Sequence, residues 1–260
     1  MTAHGPQRIV CLTEDPTEIL CALGEEDRIV GISAYTVRPP GIEKRKPVVS
    51  AFTGGSVSKI QALDPDLVIG FSDVQADLAA RLIRAHLPVL ILNQRSLEEI
   101  LETVMMIGLL VNQRERATAL VEHYRSLLET TRKRAGGREL RPRVYFEEWF
   151  DPPLSAIQWV SELIEVAGGV NIFADRAPGK AALERKVSLD EVVARDPEVL
   201  IGCWCGKPFD PQQVRERPGF ENVTAVRNQR LHEMDPAIIL QPGPAAITAG
   251  LPVLEKLLHP

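Results

Sequence analysis

The chain has 260 residues, 45% of them hydrophobic and 25% charged, with a formal net charge of −5 at neutral pH. This composition supplies a sizeable core, and the absence of a basic stripe with interleaved aromatics argues against nucleic-acid binding. The longest apolar run, around Val104 to Val111, falls short of the ~18 residues of a membrane span, so no membrane insertion is expected.

In chain order, residues 1–7 read as a polar lead-in. Arg8-Ile9-Val10-Cys11-Leu12 reads as a buried strand, Thr13-Glu14-Asp15-Pro16 as a turn, and Thr17 to Leu23 as a helix stopped by Gly24. Arg28 to Ile32 is a second strand, followed by a loop over Tyr35, Arg38 and two prolines. Val48 and Val49 lead into Phe52-Thr53-Gly54-Gly55-Ser56, which lacks the Gly-Lys-Ser/Thr ending of a phosphate loop and reads as a glycine turn. Then come a strand at Leu67 to Gly70, a helix at Ala76 to Ala85 and a strand at Val89 to Leu92. A further helix spans Leu97 to Leu110, with Ser96 and Glu99 in a capping-box pattern.

The longest predicted helix occupies residues 112–137. Ala117, Leu120, Val121, Tyr124, Leu127 and Leu128 make its apolar stripe, Asn112 and Glu115 suit its first turn, and Gly136-Gly137 stop it. At 1.5 Å per residue it is roughly 35 Å long.

Elements before this helix recur after it. Arg143 to Glu147 again reads as a strand, and Ser161 to Ala167 as a helix with a glycine stop at Gly168. The Lys59–Gly70 unit, a short helix, Asp64-Pro65-Asp66 and an apolar strand, returns as Glu191 to Gly202 with Asp196-Pro197-Glu198. The expected organisation is an amino-terminal α/β lobe over residues 1–111, a bridging helix at 112–137 and a carboxyl-terminal α/β lobe at 138–260. Each lobe carries a mainly parallel sheet flanked by helices.

Parallel α/β sheets bind ligands beyond the carboxyl ends of their strands. In the first lobe those ends present Thr13, Glu14, Tyr35, Arg38, Phe52, Gly54 and Phe71. In the second they present Glu147, Glu148, Trp149, Trp204 and Lys207, with Asp235 further on. A cleft closed by both sets would enclose one ligand, and the tryptophans suit a flat or bulky one. Its acid-rich second half suits a cationic or polyhydroxylated molecule. Catalytic motifs such as Gly-x-Ser-x-Gly, His-Glu-x-x-His or Cys-x-x-Cys are missing, so neither an enzyme nor a metal site is expected. The alternative chemistry is a metal-handling protein or enzyme built on Cys203 and Cys205.

Taken together, the opening Arg8–Leu12 strand, Thr17-Glu18-Ile19-Leu20, Arg28–Ile32, the Leu63–Val68 turn, Trp159-Val160 to Gly169 and Val187–Glu191 resemble the class III, helical-backbone binding proteins of ABC importers. Within that family the chain looks most like the cobalamin-binding branch. The resemblance implies a chelatase-like two-lobed fold bridged by one helix, a cobalamin or other corrinoid as ligand, no intrinsic cofactor, and an ABC permease partner engaged by a monomer. It also implies one docking acid on each lobe, for which Asp77 and Asp210 stand in the corresponding places. A siderophore or other polar small molecule held by Glu147, Glu148, Arg38 and Lys207 is the alternative ligand. Four cysteines and a strand beginning close to Met1 point to the cytoplasm, or to the periplasm or exterior if a leader has been removed.

Overall fold

A computed structural model describes residues 5–260; part of the polar lead-in, residues 1–4, lies outside them. The chain divides into two compact units, Met1–Gln94 with Glu98–Tyr124, and Arg95–Leu97 with Arg125–Pro260.

The first unit alternates β1 (Ile9–Cys11), α1 (Glu14–Ala22), β2 (Ile29–Ser33), α2 (Ile42–Arg45), β3 (Val48–Ser50), α3 (Val57–Ala62), β4 (Leu67–Phe71), α4 (Ala76–Arg84) and β5 (Val89–Leu92). Among the described residues its sheet has five strands in the order β3-β2-β1-β4-β5, every neighbouring pair parallel. Such a sheet is covered on both faces, which is why β1 is apolar at every position and wholly buried. Val10, Leu12, Ile60, Val68, Leu78 and Leu82 form the core on one side.

Helices α5 (Leu97–Leu110) and α6 (Arg114–Gly136) follow. The junction corrects the sequence reading. Asn112 does not open α6; it closes α5. Its φ is +60°, its N–H donates to the Leu109 carbonyl, and the Gln113 N–H donates to Gly108 at 2.7 Å. Those two bonds make a Schellman motif with asparagine at the left-handed position. Where α5 meets α6, a Cβ on Gly108 would come within 2.3 Å of Ala117 Cβ, so only glycine permits this approach. The boundary between the units falls inside α6, after Tyr124. Its last turn is held by Arg134, whose guanidinium donates to both carboxylate oxygens of Glu255 at 2.9 and 2.7 Å.

The second unit holds β6 (Arg143–Phe150), β7 (Pro153–Ser155), α7 (Gln158–Val166), β8 (Val170–Asn171), α8 (Leu189–Arg195), β9 (Val199–Gly202), α9 (Pro211–Arg215), α10 (Thr224–Arg227), β10 (Leu231–Glu233) and α11 (Leu251–Leu258). Its sheet runs β10-β9-β6-β7, with β8 also on β6; the β6–β7 hairpin is antiparallel and the other paired strands are parallel among the described residues. That hairpin extends β6 to Phe150, so Trp149 and Phe150 ride on a strand instead of a loop.

The expected duplication is present down to hydrogen bonds. Asp64 and Asp196 both take the left-handed conformation, φ +45° and +41°, before a proline. Arg8 donates its guanidinium to the Leu63 and Asp64 carbonyls, and its N–H to Asp66. Arg143 does the same with the Asp196 carbonyl and with Glu198. In each unit an arginine at the start of a strand thus satisfies carbonyls left open at a helix end.

Candidate functional site

In the first unit, the carboxyl ends of the strands carry a buried polar layer with aromatics above it. Thr13 and Glu14 are themselves buried. Thr13 Oγ1 donates to Asp15 Oδ1 at 2.6 Å, Gln94 Nε2 donates to Asp15 Oδ2 at 2.8 Å, and Glu14 Oε1 accepts the Val37 N–H. Burial pushes the Asp15 carboxyl up to about 6, against the opposing pull of the Thr13 and Gln94 hydrogen bonds. Gln75, fully buried, ties together the ends of β4, β1 and β3: it accepts the Phe71 N–H at 3.0 Å and donates to the Leu12 and Phe52 carbonyls at 3.2 and 2.8 Å. A glutamine in Ser72-Asp73-Val74-Gln75 carries no pattern that announces this role. Phe71 is buried beneath.

Tyr35 and Phe52 are what this layer presents outward. They are 52% and 46% exposed and meet edge to face with centroids 6.5 Å apart. Gly54 leaves the adjoining turn open, since a Cβ there would touch nothing. Arg38 is held by Glu18 at 3.1 Å.

The second unit rearranges its expected residues. Glu147 is fully buried. Its carboxylate accepts from both terminal guanidinium nitrogens of Arg217 at 2.6 and 2.9 Å, from Tyr145 Oη at 2.9 Å and from Trp204 Nε1 at 2.9 Å. Four donors satisfy it, so it is a framework residue. Trp204 is only 2% exposed and belongs to the core with Tyr145, Phe173, Phe209 and Phe220. Glu148 is paired with the buried Arg185, which also donates to the Ser155 carbonyl. Glu147 is closed to a ligand, and Glu148 is partly exposed but already held by Arg185.

Above Trp204 lies an aromatic shelf. Phe150 packs on Trp204 and on Trp149, each pair with centroids 5.0 Å apart. Trp149 is half-buried, its indole N–H turned to the Asp151 carbonyl. The Lys207 ammonium sits 3.6 Å from the centre of the Phe150 ring. Asp235 is exposed and caps the turn at Pro236–Ile238 through the Ala237 N–H. Cys203 is buried and Cys205 exposed; burial, reinforced by Glu148, holds the Cys203 thiol well above its usual range, which disfavours the metal-binding thiolate. Asp77 is exposed in the first turn of α4, while Asp210 is exposed but caps α9, accepting the Gln212 and Gln213 N–H groups.

A family model described as "Periplasmic binding protein" matches residues 9–238. The ABC transporter substrate-binding lipoprotein YvrC of Bacillus subtilis is 25% identical over 98% of this chain and 81% of its own length. The vitamin B12-binding protein of Yersinia pestis is 28% identical over 77% of this chain and 71% of its own length. Among solved structures, the periplasmic heme-binding protein RhuT of Roseiflexus is similar with a TM-score of 0.81 and 25% identity, covering 98% of this chain and all of that one. These matches overturn the cytoplasmic placement, because the family and the lipoprotein relative face outward from the cytoplasm. Free cysteines were a poor guide: Cys11 and Cys203 are wholly enclosed in the core and sheltered from oxidants.

Proposed function

This chain belongs to the periplasmic binding protein family, and from that premise we propose that it is a non-catalytic, monomeric carrier that binds a bulky planar ligand and delivers it to an ABC permease. The family supplies the small-molecule ligand and the permease partner. The observation that carries the ligand reading is the pair of aromatic surfaces at the carboxyl ends of the strands, Tyr35 with Phe52 in one unit and Trp149 with Phe150 in the other. Such faces pack against flat apolar bodies. Cobalamin or another corrinoid is the favoured ligand, supported by the vitamin B12-binding relative. Heme is the second reading, supported by the likeness to a heme-binding protein and by an exposed tyrosine at the first aromatic pair. Asp77 and Asp210 are the proposed docking acids.

The test is a calorimetric and absorbance titration of the purified protein with cyanocobalamin and with hemin, repeated with Tyr35→Ala and Trp149→Ala. Saturable binding of one macrocycle at micromolar concentration, weakened by both substitutions, is the expected result. Binding of neither would overturn the planar-ligand reading.

A further inference from the structure

Two of the acids at the strand ends of the second unit are taken up by ion pairs. Arg217 neutralises Glu147, which is fully buried, and the buried Arg185 neutralises the partly exposed Glu148. Glu147 and Glu148 therefore offer no free charge to a cationic ligand.

Lys207 is the exception. Its ammonium lies 3.6 Å from the Phe150 ring centre and 5.2 Å from that of Trp204. Its hydrogen-bond partner is a neutral one, Gln213 Oε1, at 3.3 Å. The nearby Asp210 carboxylate is turned to the Gln212 and Gln213 N–H groups at 2.9 and 3.3 Å. Among the described residues Lys207 makes no ion pair. A cation resting on ring faces is attracted by their quadrupole, which keeps it against the aromatic surface. It still has N–H donors for a charged acceptor, and a hydrogen bond to an anionic oxygen is about twice as strong as a neutral one.

We infer that the Trp149–Phe150–Lys207 shelf recognises an anionic oxygen, carboxylate or phosphate, carried by a flat apolar body. The rings pack against the body while the ammonium meets the charge at its edge. Trp204 sets the shelf from below: Glu147 holds its indole N–H, and Phe209 packs on its other contact face with centroids 5.0 Å apart. This inference rests on the planar-ligand reading and narrows it to an anionic ligand.

The experiment compares wild type with Lys207→Gln, using two pairs of probes that differ in the anion. Hemin against its dimethyl ester deletes carboxylates, and cyanocobalamin against dicyanocobinamide deletes the phosphodiester. The expected result is about a tenfold loss of affinity in the variant, with unchanged melting temperature, for whichever anionic probe binds. The matching probe without its anion should bind wild type and variant equally. A loss confined to hemin identifies a carboxylate, and one confined to cyanocobalamin a phosphate. If a macrocycle binds and Lys207→Gln leaves its affinity unchanged, the anion assignment is overturned while the planar-ligand reading stands. If neither macrocycle binds wild type, both are overturned.

Discussion

Arg217 reaches across 70 residues of sequence to place both terminal guanidinium nitrogens on the Glu147 carboxylate, at 2.6 and 2.9 Å. The carboxylate is enclosed in the second core, where Trp204 and Tyr145 complete its coordination, and the guanidinium lies at the edge of that core. A buried charge that loses its partner is penalised far more than a pair is rewarded. Arg217→Met should therefore destabilise the protein by about 3–5 kcal/mol. Adding Glu147→Gln should recover much of the loss, because the neutral amide no longer needs a counter-charge. A urea-denaturation double-mutant cycle measures both; additive effects would show that the two side chains do not interact.

Asp15 sets a pH dependence of stability. Burial raises its carboxyl from 3.8 to about 6 in the folded protein. Below the lower value both states hold the proton, and this group's relative contribution to stability is fully present. As pH rises toward about 6 the unfolded chain releases its proton first, so stability falls, and above that the loss is complete. Two units correspond to about 3 kcal/mol. Asp15→Asn should flatten this decline, making the variant gain on wild type between about pH 4 and pH 7.5 in denaturation midpoints. Parallel pH profiles for the two proteins would remove Asp15 as the cause.

Gly202 ends β9 beneath Phe209. A Cβ there would lie 1.9 Å from the Phe209 ring, a clash that the ring relieves only by moving away from Trp204. Gly202→Ala should cost about 1–3 kcal/mol and alter the near-ultraviolet circular dichroism of the Trp204–Phe209 pair. An unchanged aromatic spectrum would show that the loop absorbs the methyl elsewhere.

At Asn112 the φ of +60° favours residues that tolerate the left-handed region. Asn112→Gly should be neutral to slightly stabilising, whereas Asn112→Val should cost about 1–2 kcal/mol. Thermal melts distinguish the two. A role as the cap of α6 would instead leave Asn112→Ser neutral, since serine caps a helix start as well as asparagine, whereas the left-handed position penalises it.

Transport and binding should separate at Asp77. Its carboxylate is exposed on α4, so Asp77→Lys should leave ligand affinity within about twofold while reducing permease-dependent uptake about tenfold or more, as expected for a reversed interface charge. Unchanged uptake would move the docking contact elsewhere.

The two-lobed α/β fold, the apolar parallel strands such as β1, β4 and β9, and the Asp-Pro turns were legible in the sequence because they depend on local signals. Apolar runs bounded by glycine specify buried strands wherever the chain goes, and Asp64 and Asp196 adopt the same left-handed turn from the same local residues. The α5 limits, Leu97–Leu110, are those its periodicity and its preceding serine indicate. Asn112 shows where local reading divides: an asparagine between two helices suits the end of one as well as the start of the next, and hydrogen bonds to Leu109 and Gly108 decide it. Glu147, Trp204 and Gln75 were beyond sequence reasoning for a different reason. A carboxylate or indole at a strand end has the same covalent chemistry whether it faces a ligand or a core. Its destination is set by which distant side chain can satisfy it, Arg217 for Glu147 and Glu147 for Trp204. Burial then makes those pairings obligatory, and only the tertiary structure decides that Glu147 and Glu148 are taken up by arginines while Lys207 rests on the aromatic shelf.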